Sequence, residues 1–210
     1  KLTTAESEYV THLPKVAQMA EQLRQGRHDE VLRVYDTLPP ALRQEKNLLL
    51  IRHQAASQIS EQELLKAIDD FRAHHPADVC LDFLLIDYYA LQGEHDKAIQ
   101  SVDRLDASVG GDTYLDTLRA DAVYKSGDTQ KAFAIIDNSI AKSPDLIDLY
   151  WTSLGLSLLA KDHDRTLRSL RAIEDRFQLD LSGAHTQPQY AEFAQSPQGQ
   201  EWIQAHPLQQ

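Results

Sequence analysis

The sequence predicts an all-α protein, an α-α superhelix of helical hairpins closed by a short helical C-terminal cap. Three observations carry that expectation. Stretch 79–144 can be written as two copies of one pattern set 34 residues apart. Gly93 and Asp96-Lys97-Ala98 fall against Gly127 and Gln130-Lys131-Ala132, and Leu81, Asp82, Asp87 and Gly110 against Leu115, Asp116, Asp121 and Pro144. A fixed period of this length marks helix-turn-helix units that bury their apolar faces only by stacking on neighbours. Apolar residues also recur at intervals of three and four along most of the chain. No alternating run is bounded by hairpin-turn residues, so no strand pattern competes.

The elements follow in order. Over 5–25, Val10, Leu13, Val16, Ala17, Ala20 and Leu23 keep helical spacing, and Gly26 ends the helix. A second helix over about 29–38 presents Val31, Leu32, Tyr35 and Leu38, and Pro39-Pro40 stops it. The next hairpin is predicted over 42–59 and 61–74. Ser60 stands as its N-cap with Glu63 at the capping-box position, and Leu64, Leu65, Ile68 and Phe71 form its buried stripe. The third and fourth hairpins pair 79–92 with 96–107 and 113–126 with 129–142; their second helices bury Ala98, Ile99, Val102 and Leu105, then Ala132, Ile136 and Ile140. The fifth pairs 147–160 with about 164–177 and buries Leu167, Leu170, Ile173 and Phe177.

The array therefore spans 1–178, with units at about 6–44, 45–78, 79–112, 113–146 and 147–178. The segment 179–210 is read as a cap over the apolar end of the fifth hairpin, with its last residues mobile. It carries Tyr190, Phe193, Trp202 and Ile203, and Pro188 and Pro197 are each placed to open a short helix, the latter behind Ser196 as N-cap. An interaction tail that folds on a partner is the rival reading of this segment.

Charge narrows the partners. The formal net charge is -11, from 32 acidic and 21 basic residues, which disfavours nucleic acid and anionic membrane. Cys80 is the single cysteine, so no internal disulfide and no multi-cysteine metal site can form. The longest apolar-rich stretch, 81–91, contains Asp82 and Asp87 and is too short to span a bilayer, so no membrane insertion and a soluble chain are expected. The opening on Lys1 rather than Met raises the expectation of a removed upstream segment, a signal peptide or a tag. The compartment stays open between cytoplasm and periplasm or secretion.

These residues resemble the tetratricopeptide repeat (TPR) family, whose pattern sets a small residue mid-way along the second helix, a glycine before the inter-helix turn and a proline at the repeat end. Here these are Ala98 and Ala132, Gly26, Gly93 and Gly127, and Pro76 and Pro144. The chain departs from the pattern where the first helix lacks the family's Trp and Leu-Gly: Asp116 and Arg119-Ala120 stand there, and Leu115, Leu118 and Ala122 are read as the packing stripe. Lys161 and Thr166 replace the glycine and the alanine in the fifth unit. The resemblance covers about four fifths of the chain. It implies a right-handed solenoid whose concave groove, lined by first helices, holds a segment of a partner protein.

On that alignment the groove flank reads Lys46, Leu49, His53 and Ser57, then Cys80, Phe83, Asp87 and Ala90. It continues with Tyr114, Thr117, Asp121, Tyr124 and Lys125, then Asp148, Trp151, Gly155 and Leu158. Residues one repeat apart are expected about 8–10 Å apart, which would pair Asp87 with Asp121. Aromatic side chains beside acids suit a protein or peptide with apolar and basic side chains. The predicted partner-binding residues are Phe83, Asp87, Tyr114, Asp121, Tyr124, Lys125 and Trp151.

No catalytic motif, cofactor or metal site is predicted. His74, His75, Asp78 and Cys80 form the one compact set of ligand types, and imidazoles at a helix C-terminus are accounted for by the dipole. Gly110-Gly111-Asp112 lacks the Lys of a phosphate loop. The leading reading is a noncatalytic scaffold, adaptor or assembly factor. Two alternatives stand beside it: an enzyme or small-ligand protein with a pocket around Trp151, Tyr190 and Trp202, and a structural module of a larger envelope or secretion assembly.

Overall fold

The computed structural model describes residues 4–206, with side chains from Tyr9 onward. The expected mobility of the last residues concerns 207–210, outside the described residues. Among the described residues the structure is all helical, with no strand. It divides into two compact units, Lys1–Glu94 and His95–Gln210. The division falls inside the stretch 79–112 that the 34-residue period groups as one hairpin.

The first unit comprises α1 (Thr4–Arg24), α2 (His28–Asp36), α3 (Pro40–Arg43), α4 (Lys46–Ala56), α5 (Glu61–His74) and α6 (Val79–Leu91). Its core gathers Met19, Val31, Leu48, Leu49, Ile68 and Phe71. Fully burying side chains of this size contributes about 1.5–3 kcal/mol each. Two sequence expectations need correction here. The helix expected over 42–59 is two elements, because Pro40 opens α3 and Glu45, in an extended conformation, breaks the chain before α4. Leu49, expected on the groove flank, is buried in this core. Ser60 caps α5 as expected, accepting from the Glu63 amide at 3.2 Å, but the Glu63 carboxylate turns to Lys66.

The second unit comprises α7 (His95–Val109), α8 (Leu115–Lys125), α9 (Thr129–Lys142), α10 (Ile147–Ala160) and α11 (His163–Phe177). Two 3-10 turns follow, then α12 (Ala191–Gln195) and α13 (Pro197–Ala205). The α8–α9 turn uses Gly127 at φ +99, and Asp128 then caps α9 through the Lys131 amide. In the equivalent α10–α11 turn Lys161 adopts φ +56, and Asp162 caps α11 through the Arg165 amide. The cap fixes the turn geometry even where the glycine is lost.

Where the repeat pattern places Leu-Gly, Arg119 instead reaches Asp103 at 2.9 Å and Asp106 at 3.0 Å on α7, and pairs with Asp116. Asp116 in turn accepts from the Ser139 hydroxyl on α9 at 2.5 Å. A polar clamp thus joins three helices. Thr166 likewise fits where an alanine stands in other units, because its hydroxyl meets the Asp162 carbonyl and Ser157.

The C-terminal segment is integral to this unit. Tyr190, Phe193 and Trp202 are buried in one cluster with Leu170 and Ile173. Ser196 caps α13 through the Gly199 amide at 3.0 Å, and Glu201 pairs with Arg171 on α11 at 2.5 Å. His206 stacks on Trp202 with centroids 3.8 Å apart and meets Glu174 at 2.9 Å.

Candidate functional site

The surface with the chemistry to hold a partner lies in the second unit, between α8 and α10. A trough of about 310 Å³ is lined there by Thr117, Leu118, Asp121, Thr152, Gly155, Leu156 and Leu159. The sequence places it as follows. Leu115, Ala122 and Val123 on α8, and Leu149, Tyr150 and Leu154 on α10, are drawn into the core. The opposite flanks of the two helices are left facing out, and the side chains there are mostly apolar or small. Gly155 has no atom within 4 Å of where a side chain would begin, so the trough floor is open at that point. Leu159, at 62% exposure, forms its far wall without cover.

Asp121 stands at the rim, half-exposed, and is held by Lys125 one turn on at 2.7 Å. An exposed pair of this spacing is worth about 0.3–0.5 kcal/mol. Tyr114 and Trp151 remain 44% and 37% exposed at the N-terminal ends of the two helices. Asp148 is exposed one turn before Thr152, and no hydrogen bond or ion pair engages its carboxylate among the described residues.

Two of the expected assignments shift by one helical position. Thr117 is nearly buried, its hydroxyl satisfied by the Tyr114 carbonyl at 2.7 Å, whereas Leu118, expected in the packing stripe, lines the trough. Tyr124 is part-buried and packs against the core rather than standing open. Leu159 was missed, and so was the buried edge of the trough at Leu156. Their signal was the apolar excess of α10 on all sides, which one buried face does not require.

Phe83 and Asp87 belong to the first unit, on α6. Phe83 is 51% exposed, and Val79, one turn earlier, is open beside it. Asp87 is exposed and acts on His53 of α4. Burial holds the His53 imidazole below its ordinary value, and the Asp87 carboxylate opposes that. The His53 Nε2 is buried without a hydrogen-bond partner.

The remaining candidates are engaged in structure. Asp78 caps α6 through the Cys80 amide at 2.9 Å and bridges to Lys46 at 2.7 Å. The Lys46 ammonium and the Cys80 amide hold its carboxyl at about 2. His74 and His75 turn ring nitrogens to the carbonyls of Asp70 and Gln44. Among the described residues no group of three or more His, Cys, Asp or Glu is arranged to hold a metal ion. No helix among them is long and apolar enough to cross a membrane. Tyr190 and Trp202, expected to line a pocket with Trp151, are packed in the core.

Among solved structures, a mutant form of MamA, a TPR-like helical protein, is similar to this chain. The match has a TM-score of 0.57 at 12% identity, and covers 85% of this chain and 99% of that one. The fold is a TPR-like helical repeat. No protein-family model matches the chain, and no curated protein matches it in sequence. The likeness to MamA at this identity shows the TPR-like architecture alone.

Proposed function

We propose that this TPR-like chain is a noncatalytic protein-interaction scaffold that holds a segment of a partner protein along the outward flanks of its first helices. One observation carries the reading: the trough between α8 and α10 is apolar, open over Gly155 and edged by a half-exposed carboxylate. Apolar surface left uncovered beside aromatic side chains is the composition of a binding patch rather than of solvated surface. The partner-facing residues are Tyr114, Asp121, Lys125 and Trp151 around the trough. Phe83 and Asp87 form a separate face on α6. An acidic chain of net charge -11 favours partners that carry basic and apolar side chains.

Site-specific photocrosslinking tests this. A photoreactive residue at position 155 should capture a discrete partner from the native organism, and the same group at the exposed Arg168 of α11 should not. Equal capture from both positions, or none from 155, would remove the trough as the binding surface.

A further inference from the structure

The trough and its surroundings specify more than a protein in general. Offset by one 34-residue period, Tyr114 corresponds to Asp148, Thr117 to Trp151, Asp121 to Gly155 and Lys125 to Leu159. Consecutive helices of the array alternate in direction, so α8 and α10 run the same way and the surface between them has a defined order. At the N-terminal end stand Asp148, Trp151 and Tyr114, all exposed. In the middle is the opening over Gly155, with Thr117, Leu118, Thr152 and Leu156 around it. At the far end is Leu159.

The two acids on this surface are not equivalent. Asp121 is occupied by Lys125 at 2.7 Å. The Asp148 carboxylate, in the first turn of α10, is exposed and unengaged among the described residues. Trp151 lies one turn after Asp148 on α10 and Tyr114 at the matching position of α8, so an exposed carboxylate and two exposed rings share one end of the surface, a combination that suits an ammonium or guanidinium group. The Gly155 opening has the opposite preference. Its lining is mostly apolar, and the Thr117 and Thr152 hydroxyls are turned to the Tyr114 and Asp148 carbonyls, so it selects an apolar side chain.

Spacing joins the two subsites. From Asp148 to Gly155 is seven residues of helix, about 10 Å along the axis at 1.5 Å per residue. A chain in the polyproline II conformation covers that length in about three residues, at about 3.1 Å each, and its three-residue turn brings the side chain back to the same face.

We infer that the α8–α10 surface binds an extended protein segment in which a Lys or Arg and a Leu-sized apolar residue stand three positions apart. The basic group seats on Asp148 between Tyr114 and Trp151, and the apolar side chain fills the opening over Gly155. This rests on the scaffold reading above and narrows it to a partner of stated chemistry.

End-blocked, fluorescein-labelled peptides carrying Arg-Ser-Ser-Leu or Leu-Ser-Ser-Arg within a Gly-Ser context provide the probe. Anisotropy reads affinity, and the methyl resonances of Leu156 and Leu159 read location. At least one order of residues should bind and shift both leucines. Replacing Arg by Glu, Leu by Ser, or widening the gap to six residues should each weaken binding. Asp148→Asn should weaken the Arg peptide by about two- to fivefold, the range of an exposed ion pair, and leave an Arg-to-Gln peptide unchanged. Gly155→Trp should abolish binding of all of them. Gly155→Ala, which adds a single methyl group in open space, keeps the fold and should weaken binding only partly.

Leucine shifts without discrimination between Arg and Glu would overturn this inference and leave the trough as a binding surface. Shifts confined to other residues, or no binding at millimolar peptide, would overturn both. Concentration-dependent self-association abolished by Gly155→Trp would identify a second copy as the occupant and equally overturn the proposal.

Discussion

His53 and Asp87 show how a single pair couples a candidate surface residue to stability. Burial lowers the His53 imidazole below its ordinary 6.5, and the Asp87 carboxylate raises it. A histidine held below its unfolded value contributes stability that is complete above pH 6.5 and is lost as pH falls through the folded value, because the unfolded chain takes up the proton first. Asp87→Asn removes the raising influence, so the folded value drops further and acid destabilisation steepens. Melting temperatures between about pH 5 and pH 7.5 should therefore fall more sharply for Asp87→Asn than for the natural chain. For His53→Gln they should fall less. Parallel curves for the natural chain and Asp87→Asn would show that the carboxylate does not act on this ring. The sequence marks Asp87 by its repetition at Asp121 and places His53 on the same flank one unit earlier, but the burial of that imidazole and its unpartnered Nε2 are not written in either helix.

At the scale of elements, two glycines inside helices have opposite meanings. Gly155 in α10 has open space where a side chain would begin, so Gly155→Ala should stabilise by about 0.5–1 kcal/mol through helix propensity alone. Gly199 in α13 is the reverse. An added Cβ would collide with the Phe193 backbone and lie 2.6 Å from its carbonyl carbon and 2.8 Å from the Ala194 Cα. There is no flexible side chain to yield, so Gly199→Ala should cost about 1–3 kcal/mol by forcing α13 off α12. Chemical denaturation followed by Trp202 fluorescence, in a Trp151→Phe background, separates the two. A neutral Gly199→Ala would mean that the two short helices do not pack as closely as this. The sequence announced the helix starts well: Ser60 and Ser196 cap as their positions imply, and Pro197 opens α13. It did not announce the α3–α4 break or the one-residue phase of α8. A leucine stripe and a threonine flank on one helix are interchangeable until a hydroxyl finds its acceptor, as Thr117 does at Tyr114.

For the molecule as a whole, the 34-residue period reports the register of each hairpin, whereas compactness reports where apolar contacts concentrate. These are different quantities, and here they part at 94–95. Most of the buried apolar residues fall into two clusters, one drawn from α1 to α6 and one from α8 to α13. Each cluster is large enough to govern the protection of its own amides. Leu48→Ala removes a fully buried side chain from the first cluster and Leu170→Ala one from the second, each at a cost of about 2–5 kcal/mol. If the clusters govern stability separately, hydrogen exchange should rise over α4 and α5 in Leu48→Ala with α10 and α11 unchanged. In Leu170→Ala the pattern should reverse, and Trp202 should become exposed along with α11, since it shares that core. In a nearest-neighbour array with strong coupling the result differs: either substitution raises exchange throughout, because opening propagates from unit to unit. Uniform exchange in both variants would therefore make the chain one cooperative array. Segregated exchange would make it two folding units, with the α8–α10 trough carried wholly by the second and able to bind while the first is open.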